Sequence, residues 1–425
     1  MKLKKLFAMS LAFIITGALL PISHNISDNV ISTAYAEPER MVIYNDEYNS
    51  MFEYKSNGQG EIIITKCNPS AYGQIDIPNM IDGMLVTEIG QASFFECENI
   101  ISVSIPDSVK NINNSAFIKC KRLKSVSLGN GLEIIGTRAF EYCSSLEKIT
   151  IPDSVRIIDD LAFGDCQNLN SLTLGKGVEK IGCSAFSFCS QLKKVDIPDS
   201  VTVICSGAFR YCGLTSVNLN ENIKTIENYE FAGNSDLKNI KLPASVESID
   251  NGAFVKCSSL ESLVCEKEVS EFAIDAIQGC SNMKSLIIKN PKCTFYLVDY
   301  NFEPVTVDTL NEYGNITNKL VIKGYKNSTA ETVAKKYGFK FSALSSYGDP
   351  NYDEKINSVD ASYILSLYAK NAQNKSKPSS DDLECCDINK DGAVNAVDAS
   401  YVLAYYAYTA TNKSPVSLTD YMKKK

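Results

Sequence analysis

Two twelve-residue stretches near the C-terminal end concentrate the groups best suited to chemistry. The first runs from Asp349 to Asp360 and the second from Asp387 to Asp398, 38 residues later. Asp349, Asn351, Asp353, Asn357 and Asp360 hold positions 1, 3, 5, 9 and 12 of the first. Asp387, Asn389, Asp391, Asn395 and Asp398 hold the same positions in the second. Alternate spacing turns these oxygens toward one centre while the chain curls round it. Position 7, Lys355 or Ala393, offers its backbone carbonyl, and position 9 can act through a water. Hard oxygens, several carboxylates and no sulfur or nitrogen suit Ca²⁺. Two calcium ions are expected, with the second loop the tighter. Its sixth position is Gly392, which fits a sharp turn. The first loop has Glu354 there, at a cost of roughly 1 kcal/mol, and is stiffened by Pro350.

Helices are predicted after each loop, over Ala361-Ser362-Tyr363-Ile364-Leu365 and Ala399-Ser400-Tyr401-Val402-Leu403. No helix precedes either loop, and position 12 is Asp rather than Glu, which departs from a standard EF-hand. A duplicated loop-helix of this kind over residues 348 to 410 resembles a type I dockerin. The resemblance implies a partner: a cohesin on a scaffold protein of an extracellular polysaccharide-degrading complex such as a cellulosome. It further implies that partner choice rests on loop positions 10 and 11 and the helix behind them. Those are Ser358, Val359 and Ser362 in the first copy, and Ala396, Val397 and Ser400 in the second. Val359-Asp360-Ala361-Ser362-Tyr363 recurs as Val397-Asp398-Ala399-Ser400-Tyr401, so either helix could present the binding face.

Most of the remaining chain is one repeated stretch. Ala-Phe-x-x-Cys-x-x-Leu occurs with Phe117, Phe140, Phe163, Phe186 and Phe254, and Phe94, Phe209, Phe231 and Ile277 head imperfect copies. The step is 23 residues, except for one of 22 where Cys212-Gly213-Leu214 lacks a residue. Val126 and Leu128 alternate as on one face of a short strand. Ile135, Ala139 and Cys143 stand four apart, as on one face of a helical turn. One copy cannot bury its apolar face alone, so neighbours must stack. Corners alternate between Ile105-Pro106 or Ile151-Pro152 and Leu128-Gly129 or Leu174-Gly175, two solutions to one bend. The unit resembles the BspA-type leucine-rich repeats of bacterial surface and secreted proteins, over residues 75 to 290. The expected fold is therefore an α/β solenoid, a leucine-rich-repeat array of 23-residue period with end caps, plus a small all-α dockerin with two calcium loop-helix motifs.

Residues 1–36 read as a signal peptide, with Lys2, Lys4 and Lys5, an apolar run from Leu6 to Leu20 and a cleavage site at Ala34-Tyr35-Ala36. Its removal takes away His24, the sole histidine, and three Lys against one Asp. The mature chain is then two charges more negative than the −8 of the whole. Without histidine there is no Ser-His or Cys-His nucleophile pair. The acidic balance argues against nucleic acid, and no basic cluster suits a membrane surface. Residues 37–85 are read as an N-terminal cap with strands at Met51-Phe52-Glu53-Tyr54 and Glu61-Ile62-Ile63-Ile64. Repeats occupy 86–290, a C-terminal cap 291–345, the dockerin 346–412 and a tail 413–425. In the cap, Ser328 starts a helix from Thr329 to Tyr337 that Gly338 ends, before a strand at Phe339-Lys340-Phe341.

Eight of the 15 cysteines form a ladder at Cys97, Cys120, Cys143, Cys166, Cys189, Cys212, Cys257 and Cys280, with Asn234 in the place of one. Their common orientation predicts free, buried thiols. Cys385-Cys386 reads as two thiols, with a vicinal disulfide as the alternative. The exposed strand face, from Ser102 and Ser104 to Asn239 and Lys241, is rich in small hydroxyls and poor in acids. Asp196 has no acidic partner there, so no glycosidase pair forms. The reading is a secreted, non-catalytic binding or adhesion component, carried by its dockerin and holding a surface protein or glycan through the repeats. The alternative is a dockerin-tethered glycosidase or peptidase with its site in the C-terminal cap.

Overall fold

One coil shows how the array is built. Ser125–Ser127 is a short strand that pairs in parallel with Ile100–Ser104 of the previous coil, Val103 opposite Val126. Ile134–Ile135, on the other side of the same coil, pairs with Asn111–Ile112. Val126, Leu132 and Ile135 point inward and are buried, whereas Ser127 and Ile134 are exposed. Each coil thus adds one rung to each of two sheets, and about 11 turns stack into a β-solenoid. The computed structural model describes residues 51–296, 319–344, 347–351, 353, 355–374, 377–378, 380–412 and 414–424. Residues 1–36, expected to be a signal peptide, residues 37–50, residues 297–318 of the expected C-terminal cap and Glu354 lie outside them.

The stretch from Ile135 to Cys143, with its helical spacing, is a run of tight turns rather than a helix. Ala139, Glu141 and Cys143 donate to the carbonyls of Gly136, Arg138 and Phe140, three residues back, at 3.1, 3.1 and 3.2 Å. The alternate residues Arg138, Phe140 and Tyr142 donate instead to Asp160, Ala162 and Gly164 of the next coil, at 2.9, 2.7 and 2.9 Å. A helix would spend all these N–H groups internally. The alternation needs left-handed residues, and Arg138 and Tyr142 have φ of 58° and 61°. The same two columns hold Ser115 and Lys119, then Leu161 and Asp165, then Ser184 and Phe188. Each such side chain costs about 1–2 kcal/mol in isolation. The hydrogen bond to the neighbouring coil offsets that cost, so the return is stable only within the stack.

Phenylalanine fills the centre. Phe117, Phe140, Phe163, Phe186 and Phe209 stack with centroids 5.0–5.4 Å apart and planes within 6°. The ladder thiols remain unoxidised and have a use: Cys143 Sγ donates to the Phe117 carbonyl at 3.2 Å, and the bond recurs from Cys120 to Cys280. The 22-residue step strains this scheme. Elsewhere the repeat Leu donates to the Cys carbonyl three residues back, as Leu192 does to Cys189 at 2.9 Å. Leu214 has lost that partner, and its N–H goes to Asn234 Oδ1 of the next coil at 3.2 Å. Asn234 Nδ2 keeps the ladder bond to Phe209 O at 2.9 Å. The asparagine in the cysteine column is therefore the counterpart of the deletion one coil earlier. The ring spacing reaches its widest value there, 6.1 Å between Phe209 and Phe231.

The ends close differently. Strands β1 (Phe52–Ser56) and β2 (Glu61–Cys67) form an antiparallel hairpin on the first coil. Helix α1 (Thr329–Tyr337) starts at Ser328, whose side chain accepts from Glu331 N, and stops at Gly338 with φ of 72°. Lys340–Ala343 is the closing strand. The C-terminal module has its own core. Helices α2 (Ser358–Asn374), α3 (Ser380–Cys386) and α4 (Ala396–Thr411) bury Ile364, Cys386, Ile388, Val402 and Tyr405 among themselves, and α3 ends directly before Asp387, so a short helix does precede the second loop, against expectation. Within the stretch expected to be a tail, α5 (Leu418–Met422) adds Leu418 to that core. Cys385 and Cys386 are free, their sulfurs 3.1 Å apart.

Phe163→Ala should cost about 3–5 kcal/mol, read from denaturant unfolding, because the ring sits between two others and is fully buried. Asn234→Ala orphans the Leu214 N–H and should cost about 1–3 kcal/mol. A melting temperature unchanged by Asn234→Ala would separate the asparagine from the deletion.

Candidate calcium loops and docking helices

Both loops are wound by their own side chains. In the first, Asp349 Oδ1 and Asn351 Oδ1 accept from Asp353 N at 3.0 and 2.9 Å, and Asp353 Oδ1 accepts from Lys355 N at 2.9 Å. The second repeats this with Asp387, Asn389, Asp391 and Ala393 at 3.1, 3.1 and 2.9 Å. Positions 9 and 12 also start the helices. Asn395 Oδ1 accepts from Val397 N at 2.7 Å, and Asp398 Oδ2 accepts from Asn395 N at 2.8 Å. Asn357, Val359 and Asp360 do the same at 2.7 and 2.9 Å. An Asp at position 12 therefore closes a capping box as well as the loop.

The two loops differ at their last carboxylate. Asp398 Oδ1 accepts from Ile388 N at 2.8 Å and Asn389 N at 3.3 Å. The residue matching Ile388 is Pro350, which has no N–H to give. Asp360 Oδ1 is accordingly buried with no hydrogen-bond partner. Oxygens of Asp349, Asp353 and Asp360 lie within 4.8 Å of one another. Burial pushes the Asp360 carboxyl up to about 6, the Asn357 N–H opposes this, and the charges of Asp349 and Asp353 add to it. Burial also raises Asp398, against three backbone donors. An orphaned buried carboxylate oxygen facing two further carboxylates fits a hard cation, which would reverse both penalties. Asp349, Asn351, Asp353, Asn357 and Asp360, with the Lys355 carbonyl, would hold it. In the second loop, Gly392 takes φ of 84° with open space where a Cβ would stand.

All six residues expected to touch a partner are exposed: Ser358, Val359, Ser362, Ala396, Val397 and Ser400. Of the three serines, Ser362 and Ser400 turn their hydroxyls back on their own backbone, to Ser358 O at 2.8 Å and Val397 O at 2.6 Å. The valines are then the free groups at each helix start. The same helices expose further apolar residues that the sequence reading passed over. Leu365 and Tyr368 on α2, and Leu403 and Tyr406 on α4, are 42–45% exposed and match at the same 38-residue offset. Apolar side chains in a helix read as core by default. Their recurrence at the loop period was the available signal. On the repeat face Asp196 is paired with Lys194 at 2.8 Å and with Asn218. The Lys194 hydrogen bond lowers its pKa. Among the described residues, no helix is long and apolar enough to cross a membrane.

A family model described as a BspA type leucine rich repeat region, in six copies, matches residues 87–213 and 202–317. A type I dockerin domain matches residues 347–405. Type I dockerins bind calcium, and a dockerin implies attachment to a cohesin-bearing complex. No curated protein matches the chain. Among solved structures, a leucine rich repeat protein of T. pallidum is 30% identical, covering 49% of this chain and 88% of its own, with a TM-score of 0.38. A leucine rich cell surface protein of Faecalibacterium prausnitzii is 22% identical over 59% and 95%, with a TM-score of 0.29. A leucine-rich repeat protein of Bacteroides ovatus is 19% identical over 69% and 98%, with a TM-score of 0.30.

Leu418 ties the last helix to the first loop. It is 3% exposed, and its Cδ2 fills the space beside Gly348, one residue before Asp349. Leu418→Ala should cost the module about 2–5 kcal/mol, and should weaken cation binding at the first loop more than at the second. Denaturant melts of the module's own transition, with metal titrations alongside, measure both.

Proposed function

The chain belongs to the BspA-type leucine-rich-repeat family and ends in a type I dockerin, and on that premise we propose that it is a secreted, non-catalytic binding component docked onto a cohesin-bearing scaffold. The scaffold is one of an extracellular polysaccharide-degrading complex. The observation that carries this is the pair of loop-helix units, which expose the same apolar side chains: Val359, Leu365 and Tyr368 on one, Val397, Leu403 and Tyr406 on the other. Buried on a cohesin, the exposed side chains of either helix supply apolar contact area. The signal peptide over residues 1–36 supports export. The repeats supply the binding surface for a surface protein or a glycan, on a polar face without a carboxylate pair.

Calcium sets the dock. Without cations, several carboxylates crowd each loop and repel. The module is too small to supply much core of its own, so ion binding becomes folding energy. Two ions bind, one to Asp349, Asn351, Asp353, Lys355, Asn357 and Asp360, the other to Asp387, Asn389, Asp391, Ala393, Asn395 and Asp398. The second loop is the tighter, because Gly392 takes its left-handed turn without strain and Glu354 replaces glycine in the first.

Chelation of the mature protein should melt the module and leave the array's own transition in place. Pull-down on cohesins should require calcium. Calorimetric titration should show Asp391→Ala as more damaging than Asp353→Ala, and the reverse order would invert the ranking of the loops. Retained cohesin capture in EDTA would remove calcium from the proposal. Failure to capture any cohesin with calcium present would remove the dock itself.

A further inference from the structure

We propose that Cys183 and Cys205 are a disulfide-forming pair, a covalent strap between consecutive coils that closes when the exported protein meets a small-molecule disulfide. Of the 15 cysteines, 13 are buried, and these two alone are half-exposed. Neither belongs to the ladder. They occupy the bend just after the inner strand, where Ile181 pairs with Ile204. Cys205 N donates to Ile181 O at 2.9 Å, and Ser184 N donates to Ser206 O at 3.0 Å. Cys205 therefore lies abreast of Gly182, and Cys183 abreast of Ser206. The two are diagonal neighbours. Strands about 4.8 Å apart and consecutive Cα atoms about 3.8 Å apart put their Cα atoms about 6 Å from each other, inside the range a disulfide spans. Gly182 carries no side chain to block the diagonal. The two thiols influence each other, Cys183 raised and Cys205 lowered.

The surroundings favour one as nucleophile. Cys183, with the Lys180 ammonium, holds the Cys205 thiol below its usual range, against burial and the charges of Asp160 and Glu227. Cys205 as thiolate attacks one sulfur of the small disulfide. A mixed disulfide forms and one small thiolate leaves. Cys183 then loses its proton and attacks the Cys205 sulfur, expelling the second small thiol. Two protein thiols are oxidised and one external disulfide is reduced to two thiols. The ladder cysteines cannot follow this route, because they are buried, and those from Cys120 to Cys280 already donate to phenylalanine carbonyls. Position gives the strap a use. The long run of parallel rungs ends at Val203–Ile204, and a separate run begins at Thr225–Ile226, across the 22-residue step. The strap braces the last coil before that break.

The test uses the full mature chain, folded, in calcium. Reduced protein treated with iodoacetamide should be labelled at two cysteines only. Incubation with glutathione disulfide should remove both labelling sites and two hydrogens of mass. A proteolytic peptide should then join Cys183 to Cys205, and the array should melt a few degrees higher. Cys205→Ser should abolish the cross-link, and Cys183→Ser should leave a stable glutathione adduct on Cys205. The proposal is overturned if both thiols stay free after oxidation, if wild type stops at the adduct, or if the cross-link joins any other pair.

Discussion

Everything in the array depends on one coil reading the position of the next. The N–H of each repeat phenylalanine donates to a carbonyl one coil on, an alanine's in every case but Phe209, which donates to Glu230; Phe163 reaches Ala185 at 2.7 Å. That bond fixes the rise, and the rise sets the spacing of the rings. Rings 5.2 Å apart leave room for nothing else between them. The left-handed residues, the thiols that reach back to phenylalanine carbonyls, and the cross-coil ion pairs all follow. Lys119 with Glu96 and Lys224 with Glu247 are such pairs, both exposed. Exposed pairs contribute roughly 0–1 kcal/mol each, so they tune register rather than hold the stack. Stability in such an object is a sum over neighbours. The 22-residue step is for that reason its weakest joint, and Asn234 and the Cys183–Cys205 pair both cluster beside it.

The C-terminal module rests on the opposite logic. Its loops bring like charges together instead of apolar groups, and only a cation makes that arrangement favourable. The same carboxylates cap the helices that carry the exposed faces. Ion, loop and docking helix are thereby one unit: loosening Asp398 would release both the ion's ligand and the start of α4. The duplicated design tolerates different local solutions. Pro350 removes a donor that the second loop retains, and the cost appears as the unpartnered oxygen of Asp360.

The two parts suit different tasks. A stacked solenoid offers a long surface whose chemistry is set coil by coil, without altering the core. On the function proposed, the C-terminal module is a small plug whose folding and docking share one condition. Joined in one chain, they attach a polar recognition surface to whatever carries the matching cohesin.

Several features were legible from the residues alone because they depend on identity and spacing. The period, the buried phenylalanine and cysteine columns, the cap helix from Thr329 to Tyr337 and the paired acidic loops are of that kind. Local periodicity misled at Ile135 to Cys143, where a spacing of four suggested a helical turn. Only the next coil, offering the Ala162 carbonyl to Phe140, decides for turns with left-handed residues. The meaning of Asn234 was likewise hidden, since its partner Leu214 is twenty residues away and one coil back. Exposure of Leu365, Tyr368, Leu403 and Tyr406 needed the packing of α2 on α4, because a sequence cannot say which apolar side of a helix is left over. The proximity of Cys183 to Cys205 belongs to the same class. A distance of 22 residues in the chain becomes a contact only when the winding of the coils is known.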